Sequence, residues 1–193
     1  MKKSDITKEK IILATLDIIA AEGFHNVTVR KIAAKAAVNI GAVSYHFGSK
    51  EKVIAEALEH VIMRMKESFT VLDNPAATPH ERLRNFLRSY IQTLFRYPDP
   101  IKNIIYQAIH GNHEEHRYQA YMKVEGVYKV KGLLHAIYPD APEDELNLHA
   151  IRLFSSIAFP LLMAKNINYV VKFDLSLAEN QVRYADFLAA QYL

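Results

Sequence analysis

The spacing of the apolar residues is the feature that most constrains the fold of this chain. These residues recur at steps of three and four, and two-residue alternation is almost absent. Two stripes that would each cover one helix face are Val53, Ile54, Ala57, Leu58, Val61, Ile62, Met65 and Phe69, and Leu83, Phe86, Leu87, Tyr90, Ile91 and Leu94. Since the 193 residues also include only six glycines, the pattern predicts an all-α fold.

Start and stop signals divide the chain into about nine helices. Gly23 is expected to end the first helix, and Asn74, followed by proline, to end a long helix that begins near Lys50. The run from Thr78 to Glu81 combines a threonine cap, a proline at the first helical position and a glutamate at the third, which is a capping box. The run from Ser176 to Glu179 predicts a second capping box before the last helix.

The composition excludes several classes of protein. The chain has no cysteine, which excludes a disulfide scaffold, a thiolate zinc site and cysteine catalysis. Every apolar run is interrupted well before the roughly 20 residues that a membrane-spanning helix needs. We therefore expect a soluble, cytoplasmic protein without a membrane partner, and neither a metal nor a cofactor is expected.

Positive charge is concentrated in the N-terminal third. Residues 1–66 hold 11 Lys and Arg against seven Asp and Glu, whereas residues 67–193 hold 13 against 14. This asymmetry favours a basic N-terminal part that meets a polyanion, joined to a larger part that does not.

The segment from Thr28 to Lys50 has the pattern of a helix-turn-helix. Thr28 caps a short helix over residues 29–36, residues 37–40 make a tight turn, and residues 41–47 form a second short helix. The outward face of the second helix is small and flat, and it consists of Gly41, Ala42, Ser44 and Tyr45. Such a face suits the DNA major groove, with the two hydroxyl groups available for phosphate oxygens.

The runs TVRKIA, from Thr28, and YHFGSKE, from Tyr45, resemble the DNA-binding domain of the tetracycline-repressor (TetR) family, and the match extends from about Lys8 to Val53. The resemblance implies a homodimeric, all-helical transcriptional regulator, usually a repressor, that acts on double-stranded operator DNA. It also implies a larger C-terminal domain that binds a small organic effector. We accordingly predict a DNA-binding domain over residues 1–50 and a ligand-binding and dimerisation domain over residues 51–193.

Two positions depart from the family pattern. Ala37 stands where the turn often has a glycine, which is tolerable at negative φ but strained in a left-handed turn. Ser44 stands where many members have a tyrosine, so we assign the aromatic phosphate contact to Tyr45 and a groove contact to Ser44.

The resemblance also suggests roles for individual residues at the DNA. Arg30 lies in the first turn of its helix, where the family often places an arginine that bonds guanine bidentately. Lys50 is expected to contact phosphate, helped by free amides at the start of the fourth helix. His46 would lie at the edge of the backbone contact. The complete predicted DNA-binding set is Thr28, Arg30, Asn39, Gly41, Ala42, Ser44, Tyr45, His46 and Lys50.

The candidate effector site rests on aromatic residues in the C-terminal part. The predicted ligand-binding residues are Phe69, Phe86, Tyr90, Tyr106, His110, Tyr118, Tyr121, Glu125 and Tyr128. Glu125 shares a helix face with three of the tyrosines, which favours an organic cation or an amphipathic aromatic molecule over a sugar or an anion. Packing of the same rings in an ordinary core is an equally good interpretation.

Three closely spaced histidines, His110, His113 and His116, raise an alternative. A cytoplasmic metal-dependent enzyme could use them as ligands, although a helix junction with solvent-facing imidazoles explains them better. A third interpretation is a constitutive DNA-binding protein without an effector. We prefer the ligand-responsive regulator, and we expect no enzyme activity.

A homodimer is predicted from the last two long helices. The helix from about Glu143 to Asn168 is apolar nearly all round, and one domain cannot bury every face. Together with the last helix it would form a four-helix bundle with the partner, and Leu161 and Leu188 are assigned to the interface. Pro160 is expected to kink the longer helix.

Overall fold

A computed structural model describes residues 3–110 and 122–192, and within these ranges it contains ten α-helices and no strand. The helices are α1 (Lys3–Glu22), α2 (Val29–Ala36), α3 (Ile40–Phe47), α4 (Lys50–Ser68), α5 (Pro79–Arg96), α6 (Pro98–His110), α7 (Val127–Ile137), α8 (Glu143–Leu162), α9 (Ala164–Val171) and α10 (Ala178–Ala189). The predicted all-α class is confirmed.

The chain divides into two compact units. The first unit contains Met1–Met63 and Asp99–Ile109, and the second contains Arg64–Pro98 and His110–Leu193. Because the division falls within α4, that one helix contributes residues to both units. The functional boundary at residue 50 remains a prediction, since compactness of the backbone does not test it.

The first unit packs its short helices around an aliphatic core. Its fully buried side chains include Ile11, Leu16, Ile19, Ile32, Val43 and Val53. Two ion pairs join its helices at the surface, one from Lys31 to Glu22 at 2.5 Å and one from Lys8 to Glu56 at 2.9 Å. These contacts hold the eight-residue helices α2 and α3, which are too short to be stable alone.

The second unit is organised by the packing of α5 along α10. The capping box predicted at the start of α5 is confirmed, with Thr78 accepting from the Glu81 amide and Glu81 accepting from the Thr78 amide. Further along α5, Arg88 makes two parallel 2.7 Å hydrogen bonds to the Asp186 carboxylate of α10. The start of α5 is therefore set locally, and its partner helix is held by a bidentate pair.

Two predicted helix ends are wrong in detail. Helix α4 ends at Ser68, whose hydroxyl donates to the Arg64 carbonyl, and the chain continues to Asn74 through a 3₁₀ turn. The predicted cap at Ser176 does not form, because the Asp174 carboxylate accepts the Ser176 amide at 2.8 Å and makes a local turn. Helix α10 consequently begins one residue later than a Ser176 cap would require, with Leu177 as its cap.

The break near Pro160 lies further along the chain than expected. Helix α8 continues past Pro160 to Leu162, and α9 then departs at 83° after Met163. This break divides the predicted single helix into α8 and α9. The described residues therefore form one helix more than the nine predicted. Among the described residues, no single helix is long and apolar enough to span a membrane, and only the bent pair α8 and α9 reaches that length and composition when taken together.

The assignment of Leu161 and Leu188 to a dimer interface is wrong. Their side chains are 1% and 7% exposed, so they belong to the core of their own chain. The face of α8 that remains exposed carries other residues instead, namely Leu148, Ile151, Phe159 and Leu162. The sequence correctly indicated that one domain cannot bury all of α8, but periodicity could not tell which face was left.

Candidate DNA-binding surface and ligand residues

Side-chain caps fix the start of both short helices in the first unit. The Thr28 hydroxyl accepts from the Lys31 amide at 3.2 Å, and the Asn39 carboxamide oxygen accepts from the Gly41 amide at 2.8 Å. Helix α2 turns Ile32, Ala33 and Ala36 into the core, and α3 turns Val43 and Phe47 inward. The two helices pack against each other with a three-residue connection, as the helix-turn-helix prediction requires.

The turn between these helices is left-handed at Ala37. Ala37 has φ 53° and ψ 47°, a conformation that costs a residue with a β-carbon about 1–2 kcal/mol. The backbone gains two hydrogen bonds there, from the Ala37 amide to the Ala34 carbonyl and from the Val38 amide to the Ala33 carbonyl. Of the two conformations considered for Ala37, the strained left-handed one therefore occurs.

The outward face of α3 is open to solvent. Gly41, Ser44 and Tyr45 are exposed, with Tyr45 at 84%, whereas Ala42 and His46 are half-buried. The Tyr45 ring lies edge-on to His46 at a centroid distance of 5.3 Å. The structure thus brings five of the predicted DNA-binding residues together on one short helix.

Arg30 lies on the exposed side of α2 and makes no hydrogen bond or ion pair with any described residue. Its five donors are thus available to a planar double acceptor such as the edge of guanine. Lys50 is half-exposed at the start of α4, and its ammonium group lies 3.9 Å from the Glu51 carboxylate.

The expectation of free amides at the start of α4 is wrong for two of them. Glu51 accepts a hydrogen bond from its own amide and another from the Ser49 side chain, and these bonds lower the pKa of its carboxyl group. Ser49 accepts from the Lys52 amide at 3.3 Å. A serine followed closely by a glutamate is a recognisable cap signal, so these two residues could have been predicted from the sequence.

Three predicted ligand residues contact one another in an aromatic cluster of the second unit. The ring centroids of Phe69 and Phe86 are 4.9 Å apart, and that of Tyr90 lies 5.4 Å from the first and 5.2 Å from the second. All three side chains are at most 5% exposed. Their mutual packing agrees with the core interpretation, and their role toward a ligand remains a prediction.

Three other predicted ligand residues, Tyr106, Glu125 and Tyr128, are exposed on their helices. Tyr106 is 62% exposed on α6 and belongs to the first unit, and Tyr128 is 78% exposed on α7. Glu125 already has a cationic partner, because the Lys129 ammonium group lies 3.1 Å from its carboxylate. Lys129 also contacts Asp73 at 2.6 Å, and these two carboxylates raise the pKa of Lys129.

Tyr118, Tyr121 and the side chain of His110 lie outside the described residues, as do His113 and His116. The predicted tyrosine face and the histidine cluster therefore remain predictions. Within the part of the chain that the structure describes, no group of three or more His, Asp or Glu side chains is arranged to hold a metal ion.

A surface groove of about 680 Å³ in the second unit includes one predicted ligand residue, Tyr128. Its lining includes three leucines, Leu72, Leu133 and Leu146, and three cationic side chains, Arg82, Lys129 and Lys131. Since Lys131 pairs with Glu143 and Lys129 with Asp73, most of this positive charge is already compensated. The groove has no signature in the sequence, because its walls come from two distant segments, residues 72–82 and 128–146.

Together, a capped helix-turn-helix and a separate helical unit define an all-α protein of the helix-turn-helix class. Residues 11–57 match the family described as bacterial regulatory proteins, tetR family. This match confirms the resemblance of the N-terminal part of the chain to the TetR family.

Named relatives match about half of the chain or less. The HTH-type transcriptional repressor NicS of Pseudomonas putida is 26% identical over 109 residues, which are 56% of this chain and 51% of that protein. The HTH-type transcriptional regulator BetI of Brucella abortus is 31% identical over 78 residues, or 40% and 39% of the two chains. The chain therefore spans about half or less of the curated relatives it matches.

Solved structures share the fold over almost the whole chain. The TetR family transcriptional regulator PfmR from Thermus thermophilus has a TM-score of 0.67 at 14% identity, with 93% of this chain and 97% of that chain covered. A regulator from Saccharomonospora viridis in complex with choline has a TM-score of 0.69 at 17% identity, with 93% of each chain covered. At these identities the likeness concerns the fold alone.

Proposed function

We propose that the protein is a sequence-specific DNA-binding transcriptional regulator, and specifically a repressor that a small-molecule effector releases from its operator. The observation that carries the proposal is the exposed α3 face beside the uncommitted Arg30. The named relatives NicS and BetI, a transcriptional repressor and a transcriptional regulator, support the same function. They give no support to the metal-enzyme alternative.

The operator in this proposal is a palindrome read by a homodimer. The exposed apolar side chains of α8, together with Phe187 on α10, offer a surface that a second copy would cover. A two-fold dimer with one α3 in each protomer requires inverted half-sites, whose centres are about 34–36 Å apart when successive major grooves are read.

The effector in this proposal is a small organic molecule, with a cation or an amphipathic aromatic preferred. The solved neighbour in complex with choline supports an organic cation. Because Glu125 is paired with Lys129, a cation that uses this carboxylate has to displace the lysine. Helix α4, which contributes to both units, offers a continuous element for coupling, and a coupling free energy of about 1–3 kcal/mol would weaken operator binding roughly 5- to 150-fold.

Selection of bound sequences from a random duplex pool tests the DNA-binding proposal directly. We expect a palindromic sequence to be enriched, and Arg30→Ala to lose about 1–3 kcal/mol of binding free energy with relaxed preference at one base pair. Lys50→Ala should weaken binding to all sequences alike. Failure to enrich any sequence would contradict the proposal, and equal loss by Arg30→Ala on selected and random DNA would contradict the base-reading role.

Calorimetry with a panel of organic cations, aromatics and fatty acyl compounds tests the effector class. We expect binding of a cation that also weakens operator binding, and a Glu125→Gln variant that keeps the operator but loses the response. Binding of anions alone would contradict the preferred class and leave the DNA-binding proposal intact.

A further inference from the structure

The outward face of α3 contains one aliphatic side chain whose exposure stands out. Ile40, the first residue of the helix, is 48% exposed, whereas Val43 and Phe47 of the same helix are 1% and 6% exposed. Helical spacing places Ile40 one turn before Ser44 on the same side of α3, and Gly41 follows it in the chain. Glycine has no side chain and serine ends in a hydroxyl, so Ile40 is the aliphatic group of this part of the face.

Packing within the chain leaves about half of the Ile40 side chain in water. The Asn39 cap already fixes where the helix begins, through its 2.8 Å bond from the Gly41 amide. A β-branched residue has a lower helix propensity than a straight-chain polar one, and half of this side chain stays in water. Isoleucine at position 40 is therefore better explained by a contact with another molecule than by the stability of α3.

We propose that Ile40 reads thymine methyl groups in the major groove, an inference that rests on the proposed DNA-binding function. The edges of the base pairs carry hydrogen-bond donors and acceptors there, and their one apolar group is the C5 methyl of thymine. The first residues of a recognition helix are those that reach the base edges. Ile40 occupies that place in α3.

The residues next to Ile40 favour an apolar contact with the bases at this end of α3. The Asn39 oxygen already accepts from the Gly41 amide, so a two-point pairing of this asparagine with adenine would have to share that oxygen with the cap. Gly41 has open space around its α-carbon apart from that oxygen, which lets the backbone approach the groove closely. Each operator half-site therefore contains a thymine opposite Ile40.

Deoxyuridine substitution tests this contact, because uracil differs from thymine only by the missing methyl group. The full-length protein is used to select an operator, and each thymine of one half-site is then replaced singly by deoxyuridine. Dissociation constants are measured by fluorescence anisotropy at one salt concentration. For the wild-type protein we expect one replacement to weaken binding about fourfold, the factor that burial of one methyl group gives.

Variants at Ile40 and a matched control assign the effect to this side chain. Ile40→Ala should bind the thymine operator more weakly and show no further loss at that deoxyuridine, whereas Ile40→Val should keep part of the sensitivity. Ile6→Ala, which truncates an isoleucine that is 41% exposed on α1, should behave as wild type. Circular dichroism verifies that the variants keep their helical content.

Three outcomes would overturn the proposal. If no deoxyuridine weakens wild-type binding, or if Ile40→Ala is as sensitive as the wild type at every thymine, Ile40 does not read the methyl group while operator binding itself stands. If the wild-type protein selects no DNA, both this inference and the proposed function fail, so the two failures are distinguishable.

Discussion

The hydroxyl of Tyr184 donates a 2.5 Å hydrogen bond to the main-chain carbonyl of Ser156. In an uninterrupted helix this carbonyl would accept from the amide of residue 160, but that residue is Pro160 and has no N–H. Tyr184 of α10 therefore replaces the hydrogen bond that Pro160 removes from α8. Burial raises the pKa of the Tyr184 hydroxyl, so it remains a donor throughout the neutral range.

Removal of this hydroxyl should destabilise the protein only while the proline is present. Tyr184→Phe is expected to lower the free energy of unfolding by about 1–2 kcal/mol, measured by urea denaturation. In a Pro160→Ala background, where an amide again reaches Ser156, the same change should cost much less. Tyr45→Phe, at an 84% exposed tyrosine, serves as the control. Equal losses in the two backgrounds would show that Tyr184 does not compensate for Pro160.

Glycine at the left-handed turn should stabilise the first unit. Ala37→Gly relieves the cost of φ 53° and is expected to raise the free energy of unfolding by up to about 1 kcal/mol, once the greater flexibility of unfolded glycine is counted. Ala34→Gly, three residues earlier in the exposed middle of α2, should instead lower it by about 0.5–1 kcal/mol. Thermal unfolding compares the two variants, and a loss of stability in Ala37→Gly would contradict the strain.

The bidentate pair of Arg88 and Asp186 should make stability depend on pH in the acid range. Its hydrogen bonds lower the pKa of Asp186 in the folded protein, so its contribution is present above the unfolded pKa of about 3.9 and is lost as the pH falls through the lowered folded value. Because both side chains are about 40% exposed, solvent screening limits the contribution to roughly 0.5–1 kcal/mol.

Asp186→Asn is the variant that measures this pair. It should be less stable than the wild type in urea at pH 7, and the difference should disappear in acid. Glu179→Gln, an exposed change on the same helix, provides the control. A difference that persists unchanged at low pH would exclude the ionised carboxylate as its source.

Exposed and buried positions of α8 should respond differently to a new charge. Phe159 is 62% exposed, so Phe159→Asp should leave the chain folded but raise the dimer dissociation constant at least about 100-fold by placing an unpaired carboxylate in the proposed interface. Leu161→Asp should unfold the protein, because Leu161 is 1% exposed in its own chain.

Sedimentation velocity and circular dichroism separate these results. Ile6→Asp, which adds a charge to the first unit, should keep the dimer. A Phe159→Asp variant that dimerises as tightly as the wild type would place the interface elsewhere.

Local signals predicted more of this structure than long-range ones. The box at Thr78 forms as expected, because all of its atoms lie within four residues and depend on little else. The similar pattern at Ser176 fails, since Asp174 offers the amide a competing acceptor. Burial of Leu161 could not be predicted, because it depends on where other helices pack around α8, which periodicity does not specify.

The candidate sites follow the same division. Thr28, Asn39 and the α3 face could be placed from a continuous run of sequence, whereas the ligand residues depend on contacts between distant segments. The pairing of Lys129 with Asp73, 56 positions apart, has no signature in either segment alone. Glu125, predicted as a ligand residue from its helix face, pairs with Lys129 of the same chain, and its role toward a ligand remains a prediction.

The cap at Asn39 also constrains how operator preference can change in evolution. Substitution of Asn39 alters the start of α3 together with any DNA contact, so most changes there would be selected against through stability. Ile40, the next residue, has about half of its side chain in water and does not provide the cap. Duplicated copies of this gene can therefore diverge toward new operators through position 40 while position 39 stays fixed.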